Sequence, residues 1–331
     1  MSWRAGREMI LAGTSQGMVV FDEAGEERFR ALAERDVSHL YLARGGRLLA
    51  IADQNVILAA PSAGEAADDD AWRVLGELPG TVANCVVELA GRLFIGAADA
   101  RLFVMPADGS AAERIASFDA VPAREGWDTP WGGPPDVRSL AVIPQPDPAI
   151  YADIHVGGIV RSSDLGATWT QAPGILHRDV HRVSTHPDRP DMVLAATARG
   201  CFISHDRGES WEQHLQPFEP RRYQRCVIAD SADPDLLLCT ASLGPHPRGD
   251  RGCEAMLFRS ADGGVSWADA MEGLPGPLHY NINTHMLDAA PDRAGVFAFH
   301  DDLQSLYLTE NGARSWTRVA RLPDVHCICM T

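Results

Sequence analysis

Apolar residues in this chain fall into short runs in which apolar and polar positions alternate, separated by clusters of Gly, Pro, Asp and Asn. A period of two, with turn signals between the runs, predicts β-strands throughout. Seven runs align with one another: Val37–Leu42, Val82–Val87, Val137–Val142, Val180–Thr185, Tyr223–Ile228, Ile282–Leu287 and Val325–Met330. A second strand follows most of them, as at Val193–Thr197 and Leu236–Thr240. The chain opens on a second-strand pattern, Ile10–Thr14, and closes on a first-strand pattern. Helical periodicity is weak outside Gly25–Arg35. Ala63–Asp70 reads as a solvated surface loop, and residues 119–136 and 243–255 read as insertions.

Four further segments repeat a different pattern. Ser162–Trp169, Ser204–Trp211 and Ser260–Trp267 fit S-x-D-x-G-x-[TS]-W, and Thr309–Trp316 is a degenerate copy with Asn311 for Asp and Ala313 for Gly. Their starts lie 42, 56 and 49 residues apart, the length of a four-stranded propeller blade. Each motif residue suits a tight hairpin anchored to a core. Asp bonds the backbone two residues on, Gly accepts positive φ, and Trp packs between blades. Seven first strands at this spacing predict an all-β, seven-bladed β-propeller spanning residues 1–331 as one domain. The C-terminal strand completes the N-terminal blade, which removes the open edge of the ring. The motif resembles the Asp-box, or BNR, repeat, and the chain resembles the sialidase-like and photosystem II assembly-factor-like propellers. That resemblance implies that the boxes lie between the third and fourth strands of a blade, on the face away from the ligand. Asp164, Asp206 and Asp262 are therefore read as structural.

Composition narrows the function classes. A formal net charge of −16 argues against a nucleic-acid partner, which needs a basic face, and no apolar stretch is long enough for a membrane span. Met1–Gly13 lacks the apolar core of a secretory signal, and six of the seven cysteines lie in apolar strand-like runs. Both features predict a cytoplasmic protein.

Candidate chemistry gathers where first strands begin and second strands end, on one face of the ring. The second residues of the first strands run Ser38, Ala83, Arg138, His181, Gln224, Asn283, His326; the last residues of the second strands run Thr14, Ala52, Ala97, His155, Thr197, Thr240, His300. The loops His177–Asp179, Arg221–Tyr223, His279–Asn281 and Asp301–Asp302 flank them. Imidazoles from neighbouring strands suit one divalent metal ion, held by His155, His181, His300 and His326 with Asp153 or Asp301 as an oxygen partner. They also suit acid–base work near neutral pH, which assigns His181 and His300 that role, with Tyr223 or Tyr280 as proton donor. Arg138 and Arg225 would recognise charge, with Gln224, Asn283, Trp127 and Trp131 lining the substrate pocket. The expectation is a lyase or hydrolase, with or without metal assistance, acting on a small anionic or sugar-like molecule. The alternative is a non-catalytic propeller that binds a protein or ligand, as the assembly-factor resemblance implies. Sialidase activity itself is disfavoured, because the F-R-I-P-type opening motif is absent. A register shift of one residue would exchange His181 for Arg182 in the site.

Overall fold

The computed structural model describes residues 9–301 and 303–331, apart from the side chain of Gln216. Its strands form seven four-stranded sheets among these residues, arranged as the blades of a propeller. Blade one joins the inner strand Val325–Met330 to Met9–Thr14, Gly17–Asp22 and Glu27–Ala31, so the two ends of the chain close the ring. Blades two to seven begin on the inner strands Val37–Leu42, Ala83–Leu89, Val137–Ile143, Val180–His186, Val227–Ala229 and Leu287–Ala289. Apolar side chains fill the seams between blades; one cluster runs from Cys226 through Phe297 and Trp316 to Ile10 and Ile328.

The repeated turns join the third and fourth strands. In blade four, Ser162 Oγ accepts the Gly166 N–H at 2.8 Å and donates to Asp164 Oδ1. Asp164 in turn accepts the Thr168 N–H at 2.8 Å and the Thr168 hydroxyl at 2.6 Å. The same bonds recur around Asp206 and Asp262. The Ser266 contacts hold the Asp262 carboxyl at about 2, so it stays ionised as an acceptor. The degenerate copy keeps the shape by other means. Asn311 Oδ1 accepts the Ser315 N–H, and Ala313 takes the left-handed conformation (φ 58°) that Gly occupies elsewhere. Trp169, Trp211 and Trp316 are buried at these turns.

Three details differ from the expectation. Gly25–Arg35 holds the strand Glu27–Ala31, an outer strand whose exposed charged positions mask its alternation. Ala63–Asp70 carries short 3-10 turns at Glu65–Ala67 and Asp69–Ala71, pinned by the Trp72 Nε1 bond to the Ala66 carbonyl. The inner strands of blades six and seven start later than their apolar runs, and the ladder there is interrupted: Tyr223 still pairs with Ser242 of its own blade, but not every neighbouring group does. The Gln224 N–H, for example, donates to the Thr197 carbonyl of blade five at 2.9 Å.

The axial channel opens into a cavity of about 510 Å³ on the face where inner strands begin and one of about 500 Å³ on the opposite face, with His285 bordering both. Arg182 of blade five crosses it to bond the Thr284 and Leu287 carbonyls at 2.6 and 3.0 Å.

Candidate binding site

The face where inner strands begin is built from one device used repeatedly. In blades one to five the inner ladder shifts register at the residue that follows its first pair: His326, Ser38, Asn84, Arg138 and His181. A β-bulge leaves that residue unpaired and re-aims its side chain. Four of these strands open on an Asp-Val pair, at Asp324, Asp36, Asp136 and Asp179. The Asp36, Asp136 and Asp179 carbonyls accept the N–H groups of Asp53, His155 and Ala198 at 2.8–2.9 Å.

This scaffold corrects the columns read from sequence. Blade three places Asn84, not Ala83, at the bulge. His155 stands one residue beyond its expected column, because Ile154 pairs with Val137 where Ala52 pairs with Val37. Thr14 and Thr197 are turn residues whose hydroxyls donate to the Gly17 and Gly200 carbonyls. His181 is 0% exposed and turned toward blade six, whereas Arg182 enters the channel.

Between blades four and five, His155, Asp179 and His181 converge, with one nitrogen or oxygen of each lying within 4.8 Å of the others. Among the described residues no other group of three such side chains does so. His181 Nδ1 bonds the Gln224 carbonyl, while its Nε2 lies 3.3 Å from Asp179 Oδ1. His155 Nε2 lies 3.7 Å from the same oxygen. One Arg138 Nη2 sits 2.8 Å from both ring nitrogens of His155 and can donate only to the one that carries no proton. The rings of Trp131 and Tyr223 flank the group, 5.0 Å from His155 and 4.6 Å from His181 respectively.

Burial sets most of the charges here. It pushes His155 down to about 3, helped by the Arg138 guanidinium, and it lowers His181 as well. Burial opposes ionisation of Asp179, but the His181 contact and the neighbouring positive charges keep its carboxyl below the usual range. Burial raises the Tyr223 phenol and drives Asp153 up to about 8. These shifts favour the neutral ring at His155 and His181 and the ionised carboxylate at Asp179.

Arg225 extends the site toward the axis. Its Nη1 donates to Asn283 Oδ1 at 2.6 Å and its guanidinium lies 5.6 Å from the Tyr223 ring centre. Arg138 and Arg225 both line the 510 Å³ cavity, with Asn84, Asn283 and Thr284. Among the described residues neither guanidinium forms an ion pair with a carboxylate. Trp131 is 65% exposed.

Other expected site residues lie elsewhere. The four histidines expected to share a metal do not converge. His300 is buried and its Nε2 donates to the Leu322 carbonyl at 2.9 Å, while His326 Nε2 lies 3.1 Å from Asp36 Oδ1. His300 therefore does not face His181 as an acid–base partner. Asp153 accepts from Ser139, and Asp301 caps a turn through the Leu303 and Ser305 N–H groups. Asp302 lies outside the described residues. Trp127 is 9% exposed and packs 5.7 Å from Phe118, so it forms core rather than a pocket wall. The Gln224 side chain is fully buried, and Tyr280, 38% exposed, packs edge-on against His279. Asp179 is the site residue that reading by columns passed over, and the recurring Asp-Val pair is the signal that marks it.

Comparison with known proteins bears on the same region. The family model described as sortilin, neurotensin receptor 3 (Sortilin-Vps10), matches residues 157–276, from blade four to the end of blade six. Vacuolar protein sorting/targeting protein 10 of Pyricularia oryzae is 28% identical over 130 residues, covering 38% of this chain and 8% of that protein. Its counterpart in Verticillium alfalfae is 27% identical over 94 residues, covering 28% and 6%. The chain thus spans less than a tenth of these curated relatives. Among solved structures, a GH74 enzyme from Niastella koreensis superimposes with a TM-score of 0.59 at 14% identity, covering 93% of this chain and 46% of that one. A chain of the mitotic checkpoint complex gives 0.58 at 12% identity, covering 98% and 87%. YCF48 bound to a D1 peptide gives 0.56 at 12% identity, covering 93% and 87%. At these identities the likeness is one of fold.

Proposed function

We propose that this chain is a binding propeller that captures a carboxylate-bearing segment of a protein or peptide at the mouth where inner strands begin. The carrying observation is the pair Arg138 and Arg225, which line one cavity and hydrogen-bond only to neutral groups, His155 and Asn283, with the Asp36 and Asp136 carboxylates in the same lining but not ion-paired to either. A guanidinium without a carboxylate partner in a half-buried mouth is a ready receptor for one, through charge-assisted and often bidentate bonds. The exposed Trp131 ring beside the mouth adds an apolar contact of the kind peptide sites use. The comparisons support binding: part of the chain resembles sorting proteins, and a neighbour in fold holds a D1 peptide. We further read the four Ser/Thr-initiated turns as Asp-box repeats that serve the scaffold. The competing reading, turnover of a small anionic or sugar-like molecule, has behind it the fold shared with a GH74 enzyme.

The test is a peptide-display selection on the immobilised protein, followed by fluorescence anisotropy on the enriched peptides. Enriched peptides are expected to carry Asp, Glu or a free C-terminus at a fixed position. Arg138→Ala and Arg225→Ala should each weaken them by about tenfold or more. Peptides without a carboxylate, or peptides that bind the double variant as well as the wild type, would overturn the reading.

A further inference from the structure

The two-guanidinium mouth leaves the neighbouring His155, Asp179 and His181 unexplained. A carbonyl oxygen only accepts, so the Nδ1 of His181 that bonds the Gln224 carbonyl carries the ring proton. That leaves Nε2 with a lone pair in the neutral ring. This nitrogen is fully buried and no hydrogen-bond donor reaches it. The atom it faces, Asp179 Oδ1, is also an acceptor without a donor. Two buried acceptors facing each other at 3.3 Å call for a positive centre between them.

The two separations that involve Asp179 are close to those such a centre needs. Ligand atoms at about 2.0–2.1 Å from a tetrahedral metal stand about 3.3 Å apart. The two distances to Asp179 Oδ1 are 3.3 Å from His181 and 3.7 Å from His155, and all three ligand atoms lie within 4.8 Å. The Gln224 carbonyl fixes the tautomer and orientation of His181, as partners of metal-bound imidazoles commonly do.

We infer that His155, Asp179 and His181 form a site for one borderline divalent cation of the Zn²⁺ or Co²⁺ class. Two imidazoles and one carboxylate suit such ions better than Ca²⁺ or Mg²⁺, which prefer all-oxygen shells. The set leaves coordination open for a further ligand, as non-structural zinc sites do. Arg138 is the opposing element, since its charge lies against His155. The inference does not depend on the peptide-binding reading, which uses the guanidiniums and not the imidazoles.

The experiment uses the full chain, stripped with chelator and then dialysed free of it. Co²⁺ is added stepwise and followed by visible absorption, then displaced with Zn²⁺ and checked by calorimetry. One Co²⁺ per chain is expected, with the intense bands of a low-coordinate site, displaced by one Zn²⁺. Asp179→Asn and His155→Ala should lower affinity on the order of a hundredfold, and His181→Ala likewise if it folds. Arg138→Gln, which removes the opposing charge and keeps all three ligands, should tighten binding. Wild-type protein that takes up no Co²⁺, or binds it no better than Asp179→Asn and His155→Ala, overturns the site. In that case the 3.3 Å contact is a protonated imidazole on a carboxylate.

Discussion

Replacing His39 by Gln tests how the axial channel responds to acid. His39 is 7% exposed in blade two, its ring 4.5 Å from that of His285, with the Arg182 guanidinium adding positive charge beside both. Burial, and then Arg182, push the His39 imidazole down to about 4, against a bond to the Val86 backbone that favours the charged form. Burial also holds His285 well below its ordinary value; the charges of His39, Arg182 and Arg138 add to this, and the bond to the Arg138 carbonyl opposes it. The folded imidazoles stay neutral at a pH where those of the unfolded chain take up protons. Their contribution to stability is therefore fully present above about pH 6.5 and is lost as pH falls from there toward 4. At about 1.4 kcal/mol per pH unit, His39 alone accounts for a loss of about 2 kcal/mol between pH 6.5 and 5. Guanidinium denaturation at pH 7 and pH 5 measures the loss in each protein. His39→Gln should lose about 2 kcal/mol less than the wild type over that interval. An equal loss in both would refute the claim that His39 is buried as the neutral ring.

Three further perturbations address the scaffold. Gly25 has φ 77°, and a Cβ there would meet the Val319 carbonyl of blade seven at 2.0 Å, so Gly25→Ala should cost about 2–4 kcal/mol in denaturant melts; an unchanged midpoint would show that the seam can open at no cost. Trp211 is buried at the blade-five turn, and Trp211→Ala should cost about 3–5 kcal/mol by calorimetric or chemical unfolding, with a loss below 1 kcal/mol counting against its role as an anchor. Deleting Asp324–Thr331 removes the inner strand of blade one and bares the edge of Met9–Thr14; size-exclusion chromatography should then show oligomers or aggregate, and a monomer of unchanged melting temperature would refute closure by this strand.

The architecture was readable because two unrelated periods agree on it. Alternation within strands and the recurrence of the Ser-x-Asp turns both mark off blades, and each would be weak alone. The degenerate turn at Thr309–Trp316 counts with the others because Asn311 can accept the same N–H that Asp does. Outer strands were harder to read. Glu27–Ala31 pairs on one side only and is mostly exposed, so its charged residues erase the alternation that burial imposes on inner strands. The late start in blade six coincides with a bond to a neighbouring blade, Gln224 to Thr197, which no local pattern records.

The candidate site was readable in its residue types and less so in its geometry. Aligning strands by column assumes an unbroken ladder, and a bulged residue in the inner strands of blades one to five breaks it. That bulge buries His181 against blade six and sends Arg182 into the channel. At the four junctions where an aspartate opens the next blade, the same scaffold sets three positions: the residue after the second strand, the bulged residue, and that aspartate. Between blades one and two the carboxylate is Asp36, and the imidazole that meets it is His326, the bulged residue of blade one, with Nε2 3.1 Å from Asp36 Oδ1. Ser15 and Ser38 stand where His155 and His181 stand three seams further round the ring, so neither of those imidazoles has a counterpart there. That pair is also half-exposed, so water can supply what the buried junction cannot. Between blades four and five both imidazoles are present, and His181 is closed off from solvent. The difference between a surface ion pair and a candidate cation site therefore comes down to two side chains and their burial on an otherwise equivalent junction.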